Sequence, residues 1–327
     1  MIALDLFAGT GWGVACQRLS IEEMGVEIMP EAVATRTANG MRTVYRDVWD
    51  GLLLSREVHE ACYGPYTLLI ASPPCQTFSM AGHGVGRRAL DDVIRAIDLH
   101  AYKDPQELLE FGREHDPRTA LVLTPLAYIY RDRPQYVALE QVPTVLPVWE
   151  AYADVMRDWG YSVDTAVLQA EQYGVPQTRK RAILVARLNG EVSLPKPTHS
   201  RYYATKPEKL DGDVLPWASM ADAIGWTAEE AEGSRFTQNN KLTNQAVRGL
   251  NQPAPTITAG HDSGNRGFFD PDGQFFKAAV AEVSALQSYP EGFKWQGAKT
   301  KQFLQIGNAV PPLLAEAVLT ALIGDKA

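Results

Sequence analysis

Residues 67–71, Thr67-Leu68-Leu69-Ile70-Ala71, form a short apolar, partly β-branched run that stops at Pro73-Pro74. A run of this length bounded by breakers reads as a buried strand, and neither proline can donate to a sheet ladder. Cys75 follows at once, at the carboxyl end of the strand, where open α/β sheets bind ligands. A thiol ordinarily titrates near about 8.5, so it needs local donors or a helix N-terminus to become a good nucleophile. A buried structural cysteine after a Pro-Pro turn fits these residues equally well.

Further strand ends carry chemistry. Residues 2–6 read as a first strand, running into Phe7-Ala8-Gly9-Thr10-Gly11-Trp12-Gly13 and a helix to about Met24. The glycines let backbone approach a ligand, and the helix N-terminus offers free N–H groups. Val14 stands where a dinucleotide fingerprint has its third glycine, and no Gly-Lys-Ser/Thr follows, which excludes those two motifs. Val26-Glu27-Ile28 ends a second strand, and Glu27 is placed to accept from ribose hydroxyls. Residues 42–45 read as a third strand, followed by Asp47, which could accept an adenine amino proton, and Val48, which could pack on the ring. Glycines, Glu27 and Asp47 at consecutive strand ends fit an adenosyl ligand.

Residues 135–139 read as a strand ending in Glu140-Gln141-Val142-Pro143, a carboxylate on the same rim as Cys75. If burial holds a proton on it, Glu140 can serve as a general acid. Gln177-Thr178-Arg179-Lys180-Arg181 leads into an apolar strand over 182–186. Alternation places Arg179 and Arg181 on one side of an extended segment, where two guanidinium groups could hold a phosphate or an electron-rich carbonyl oxygen. Residues 80–88 contain three glycines with Arg87 and Arg88, a basic loop able to close on a substrate. Residues 90–114 are helical but charged and read as a solvated insertion; 117–131 reads as one helix.

At 327 residues and 45% hydrophobic content the chain is large enough for two domains. Composition shifts near Asn189, and 190–300 reads as a smaller irregular domain rich in Pro, Gly, Asn, Thr and aromatics. An apolar helix over 313–323 closes the chain. Cys16, Cys62 and Cys75 cannot form a paired framework, which suggests a reducing compartment. The expected location is the cytoplasm, with no membrane span and no His/Cys spacing for a metal. Net charge is -8, yet residues 177–210 carry +6, leaving -14 elsewhere. Such a stripe can make phosphate contacts while the far face stays acidic.

Together these pieces resemble the DNA (cytosine-5) methyltransferase family along almost the whole chain. Phe7-Ala8-Gly9-Thr10-Gly11 resembles its adenosylmethionine turn, Pro74-Cys75-Gln76 its nucleophile motif, and Gln177-x-Arg179-x-Arg181 its Gln-x-Arg-x-Arg. Glu140 stands at its Glu-Asn-Val glutamate, Gly307-Asn308-Ala309-Val310 at its closing motif, and Pro255-Thr256-Ile257 at its target-recognition piece. The resemblance implies a Rossmann-like, mostly parallel α/β domain over 1–189, completed by 301–327, and a target-recognition domain over 190–300. It implies S-adenosyl-L-methionine as cofactor, held by Phe7, Gly9, Gly11, Glu27 and Ile28, by Asp47, Val48 and Pro74, and by Asn308 and Val310. It implies catalysis by Cys75, Glu140, Arg179 and Arg181 on a cytosine flipped out of double-stranded DNA. Gln76, Ser79, Arg87, Arg88, Gln177 and Thr256 are the expected DNA contacts, no metal is needed, and a monomer is expected. A tRNA cytosine-5 methyltransferase and a catalytically silent DNA-binding homologue are the alternatives. Three features depart from the pattern: Gln141 replaces the usual Asn, the lead-in to Leu286-Gln287-Ser288 lacks Arg-x-Leu-Thr, and the 90–114 insertion is long.

Overall fold

The computed structural model describes residues 1–74, 85–238, 247–259 and 265–324, the backbone alone at 85–88. Cys75, Gln76 and Ser79 lie outside the described residues, as do the side chains of Arg87 and Arg88.

Seven strands form the main sheet among the described residues: β1 (Ile2–Leu6), β2 (Glu22–Val26), β3 (Arg42–Tyr45), β4 (Leu68–Ala71), β5 (Tyr136–Gln141), β6 (Tyr161–Gln169) and β7 (Lys180–Leu188). Their order is β3-β2-β1-β4-β5-β7-β6, a Rossmann-like arrangement. Every pairing is parallel except those of β7, which runs antiparallel to both β5 and β6. The order reverses between β1 and β4, so a crevice opens at their carboxyl ends.

The pleat explains why the central strands carry apolar side chains on both faces. Leu4, Leu6, Leu69, Val137 and Leu139 point to one face, against Trp149 and Tyr152 of the helix Leu146–Asp158. Ala3, Leu68, Ile70, Ala138 and Ile183 point to the other, against Trp12 and the closing helix Pro312–Ile323. Burying one such aliphatic side chain contributes roughly 1.5–3 kcal/mol before entropy is charged. The stretch Lys299–Ile323 is apolar and long enough to cross a membrane, but 61% of its apolar window is buried in this core.

Several expected boundaries are corrected. The first helix is Gly11–Arg18, and Met24 belongs to β2. The 117–131 helix divides into Pro117–Leu121 and Thr124–Asp132, because Pro125 has no N–H to continue a helix and suits a first turn. Residues 90–114 are not a solvated insertion. They form parts of two helices, Val85–Asp98 and Pro105–Glu114, whose Val93, Ile97 and Leu108 are fully buried in the main core. Their charges occupy the outer face of an amphipathic pattern. Gln305 to Asn308 is helical, the end of Lys299–Asn308.

Within 190–300 the described residues form β8 (Arg235–Thr237), β9 (Arg248–Gly249), β10 (Gly267–Phe269) and β11 (Phe275–Lys277), a small antiparallel sheet in the order β11-β10-β8-β9, with the short helices Met220–Ile224, Ala228–Ala231 and Val280–Leu286. Its Phe236 and Phe268 share a core with Leu250, Ile257 and Ile306, and also with Val14 and Met41 from the first strands' connections.

Candidate active site

A cavity of about 450 Å³ lies over the carboxyl ends of the parallel strands. The turn after β1 supplies Phe7, Gly9 and Gly11; the ends of β2 and β3 supply Glu27, Ile28, Asp47 and Val48. Pro74 follows β4, and Asn308 and Val310 arrive from the far end of the chain. All ten residues expected to hold a cofactor therefore line one cavity. Gly11 is what lets the two ends of the sequence meet: a Cβ there would lie 2.0 Å from the Val310 carbonyl oxygen.

The acids are fixed by backbone donors. Glu27 accepts from Gly9 N–H at 2.9 Å through one oxygen and from Met29 N–H at 2.7 Å through the other. Asp47 caps the helix Val48–Leu52, accepting from Trp49 N–H at 3.1 Å. Each carboxylate keeps spare lone pairs for a ligand, since an ionised carboxylate offers about four acceptor positions. Phe7 holds a φ of 59°, a left-handed conformation costly for a bulky residue and concentrated at functional turns. The donor set suits an adenosyl group: apolar walls for a ring, two separate acids for hydroxyl and amino protons, and a helix N-terminus. A cavity of this size also suits a molecule of that size.

Glu140 and Arg181 line the same cavity. Arg181 Nε lies 2.6 Å from Glu140 Oε1, both side chains being largely buried. Topology brings them together. Because β7 is antiparallel to β5, its first residues stand beside the last residues of β5, with Gln141 paired to Ala182. The second guanidinium bond runs from Nη1 to the Lys180 carbonyl at 2.7 Å; Arg181's remaining N–H groups have no partner among the described residues.

The sequence profile of the family described as C-5 cytosine-specific DNA methylase matches residues 111–324. The chain belongs to that family. It is 29% identical to the Type II methyltransferase M.AplI of Arthrospira platensis, over 97% of this chain and 84% of that protein. It is 27% identical to M.HindV of Haemophilus influenzae, over 99% and 96%. Among solved structures, a DNA modification methyltransferase encoded in an E. coli prophage superposes with a TM-score of 0.63 at 18% identity, covering 99% of this chain and 98% of that one. The S. pombe methyltransferase Dnmt2 gives 0.63 at 16%, covering 99% and 98%. The protein is a DNA cytosine-5 methyltransferase.

Two residues of this methylase's Gln-x-Arg-x-Arg segment sit away from the cavity. Arg179 was expected beside Arg181, yet its guanidinium is buried, donating to the carbonyls of Ile257 and Gly307 at 2.8 Å each. It staples the 253–258 segment to the closing motif and is not among the described residues that line the cavity. Gln177 was expected at the DNA. It is fully buried, accepting from Ile257 N–H at 2.8 Å and donating to the Leu286 carbonyl and to Gln287. Both are joints between distant segments. Thr256 is exposed and donates to the Thr178 carbonyl at 2.7 Å.

Gln141 stands where the family pattern has Asn and bonds to the Pro-Pro turn. Its Nε2 donates to the Pro73 carbonyl at 2.5 Å, while its Oε1 accepts from Val142 N–H. The Pro-Pro turn is thus supported from β5 by the longer amide. Trp12 Nε1 donates to Ser72 Oγ at 2.9 Å and supports the same turn from the other side. Trp12, Trp49, Arg118 and Leu121 also line the cavity and were not singled out in the sequence. Trp49 directly follows Asp47-Val48, and Asp116-Pro117 is a helix-start signal, with Asp116 accepting from Arg118 N–H.

Proposed function

We propose that this methylase transfers a methyl group from S-adenosyl-L-methionine to C5 of a cytosine flipped out of double-stranded DNA, through a transient bond between Cys75 Sγ and ring carbon C6. The observation that carries the proposal is the buried Glu140–Arg181 pair, set on the rim of the cavity that holds the strand-end acids. Glu27 would take the ribose hydroxyls, Asp47 the adenine amino group, and Phe7 and Val48 the ring faces.

C5 of cytosine is a poor nucleophile. Addition of the Cys75 thiolate to C6 breaks the C5–C6 double bond and moves an electron pair toward C5, with charge developing at O2 and N3. Glu140, after taking up a proton from solvent, passes it to N3, and the N–H groups of Arg181 not bonded to Glu140 or to the Lys180 carbonyl donate to O2. Preorganised donors of this kind commonly contribute a factor of about 10² or more. The cofactor, when bound, supplies an electrophilic methyl group. Loss of the C5 proton to solvent, return of the N3 proton to Glu140 and departure of the Cys75 thiolate then restore the C5–C6 double bond. Extrusion of the base costs a few kcal/mol. We assign 1–189 with 301–327 to the chemistry and 190–300 to reading sequence. Lys180, Lys196, Arg201, Lys206 and Lys209, all exposed, are available for phosphates.

Bisulfite sequencing of DNA from cells expressing the chain, with parallel methyl-transfer assays on DNA and tRNA, tests the proposal. New protected cytosines in a defined context support it. Methylation of tRNA with none in DNA would overturn the substrate.

A further inference from the structure

The cofactor turn is held from beneath by a residue that does not touch the cavity. Arg36, on the helix Pro30–Ala38, is fully buried. Its Nη2 lies 2.6 and 2.8 Å from the two oxygens of Glu23 and 2.8 Å from the Arg42 carbonyl. Its Nε donates to Thr43 Oγ1 at 3.1 Å, and its Nη1 to the Gly9 carbonyl at 3.1 Å. One planar guanidinium therefore joins the turn after β1 to β2 and β3, whose ends carry the other cofactor acids.

The sequence makes room for this. Gly25 lies mid-strand in β2, where glycine is unfavourable, and a Cβ there would fall 2.0 Å from Arg36 Nη2. Above, Gly9 is gripped through both of its flanking peptides: its N–H by Glu27 and its carbonyl by Arg36. Glu27 and Arg36 thus fix the two consecutive peptide planes that flank the Gly9 Cα, one from inside the cavity and one from below.

We propose that Arg36 is a positioning residue for the cofactor, fixing the Phe7–Gly11 turn through the Gly9 carbonyl and aligning it with the ends of β2 and β3. The inference rests on the reading of this cavity as the S-adenosyl-L-methionine site. A lysine cannot replace the arginine, because an ammonium on a flexible stem does not span five acceptor atoms on four residues. The ion pair with Glu23 is separable from the contact with Gly9, since replacing both members of a buried pair by neutral groups leaves no unpaired charge.

The test compares Arg36→Lys, Arg36→Met and the double variant Arg36→Met/Glu23→Gln by thermal unfolding and by calorimetric titration with S-adenosyl-L-methionine and S-adenosylhomocysteine. Arg36→Met is expected to lose both stability and affinity. The double variant is expected to recover most of the melting temperature and still bind the cofactor about tenfold more weakly, the loss of one charged hydrogen bond. Its KM for the cofactor should rise more than its kcat falls. If affinity returns with melting temperature in the double variant, or if Arg36→Lys binds as wild type does, Arg36 only pairs Glu23 and the inference fails. Wild-type protein that binds neither compound would instead refute the cofactor site itself.

Discussion

Replacing Glu140 by Gln separates chemistry from architecture. The two side chains are nearly isosteric, and the amide oxygen of a glutamine can still accept from Arg181 Nε, now 2.6 Å from Glu140 Oε1. What is lost is the charge on the acceptor. Hydrogen bonds to charged groups contribute about 1.5–3 kcal/mol against 0.5–1.5 for neutral ones, so the stability cost is about 1–2 kcal/mol. For a chain of this size that is a fall of roughly 2–8 °C in Tm. The chemical loss is larger. A positioned general acid contributes about 10²–10⁴-fold, or about 2.7–5.5 kcal/mol of barrier. Single-turnover methylation at 15 °C below the variant's melting temperature (roughly, to keep it folded), with DNA affinity measured in parallel, decides the matter. The rate should fall at least a hundredfold (on the order of 10²) with DNA affinity close to wild type. Equal losses in rate and affinity, or a rate within about tenfold of wild type, would reduce Glu140 to a structural carboxylate.

Three other outcomes follow from the geometry. Gln141→Ala leaves the buried Pro73 carbonyl without its donor at a cost of about 1–3 kcal/mol, and kcat should fall more than cofactor affinity; unchanged kcat would show that the turn needs no support from β5. Asp5 is fully buried, with neither carboxyl oxygen hydrogen-bonded among the described residues; burial and then the nearby Glu23 push its pKa well up, against the pull of Arg36. A carboxyl raised on folding contributes stability below its ordinary range and loses it as pH rises through the folded value. Asp5→Asn should therefore unfold at progressively higher denaturant than wild type from about pH 4 upward, gaining about 1.4 kcal/mol per pH unit until that value is reached, and a constant difference across pH would contradict the shift. DNA binding should weaken steeply with salt despite the net charge of -8. About three phosphate contacts from the exposed cations of 180–209 give a log-log slope near -2.7, and a flat response would discredit that stripe.

The parts of the candidate site that could be read from the sequence are those where the residue lies at the carboxyl end of its own strand or within three residues of it. Gly9, Glu27, Asp47 and Glu140 are positioned by β1, β2, β3 and β5, and a strand's carboxyl end fixes where its next residue goes. Gln177 and Arg179 could not be placed this way. Their partners Leu286, Ile257 and Gly307 are 109, 78 and 128 residues away, and alternation along one segment carries no information about them. Nor does it show that one arginine of the pair turns into the cavity while the other turns into the core. Residues 90–114 misled through composition. Their acids are conspicuous, but Val93 and Ile97 four residues apart mark a buried stripe that a charge count overlooks. The helix Lys299–Asn308 was hidden because its last turn carries the Gly-Asn of the closing motif, residue types that ordinarily stop helices, and here they end this one.

The reaction itself is best tested by trapping. DNA carrying 5-fluorocytosine at the methylated position, incubated with enzyme and S-adenosyl-L-methionine, blocks the final elimination because fluorine cannot leave as a proton. A covalent complex that maps by mass spectrometry to Cys75, and that Cys75→Ala abolishes together with methylation, is the result expected. Turnover on unmodified DNA with no adduct, or methylation that survives Cys75→Ala, would contradict the account.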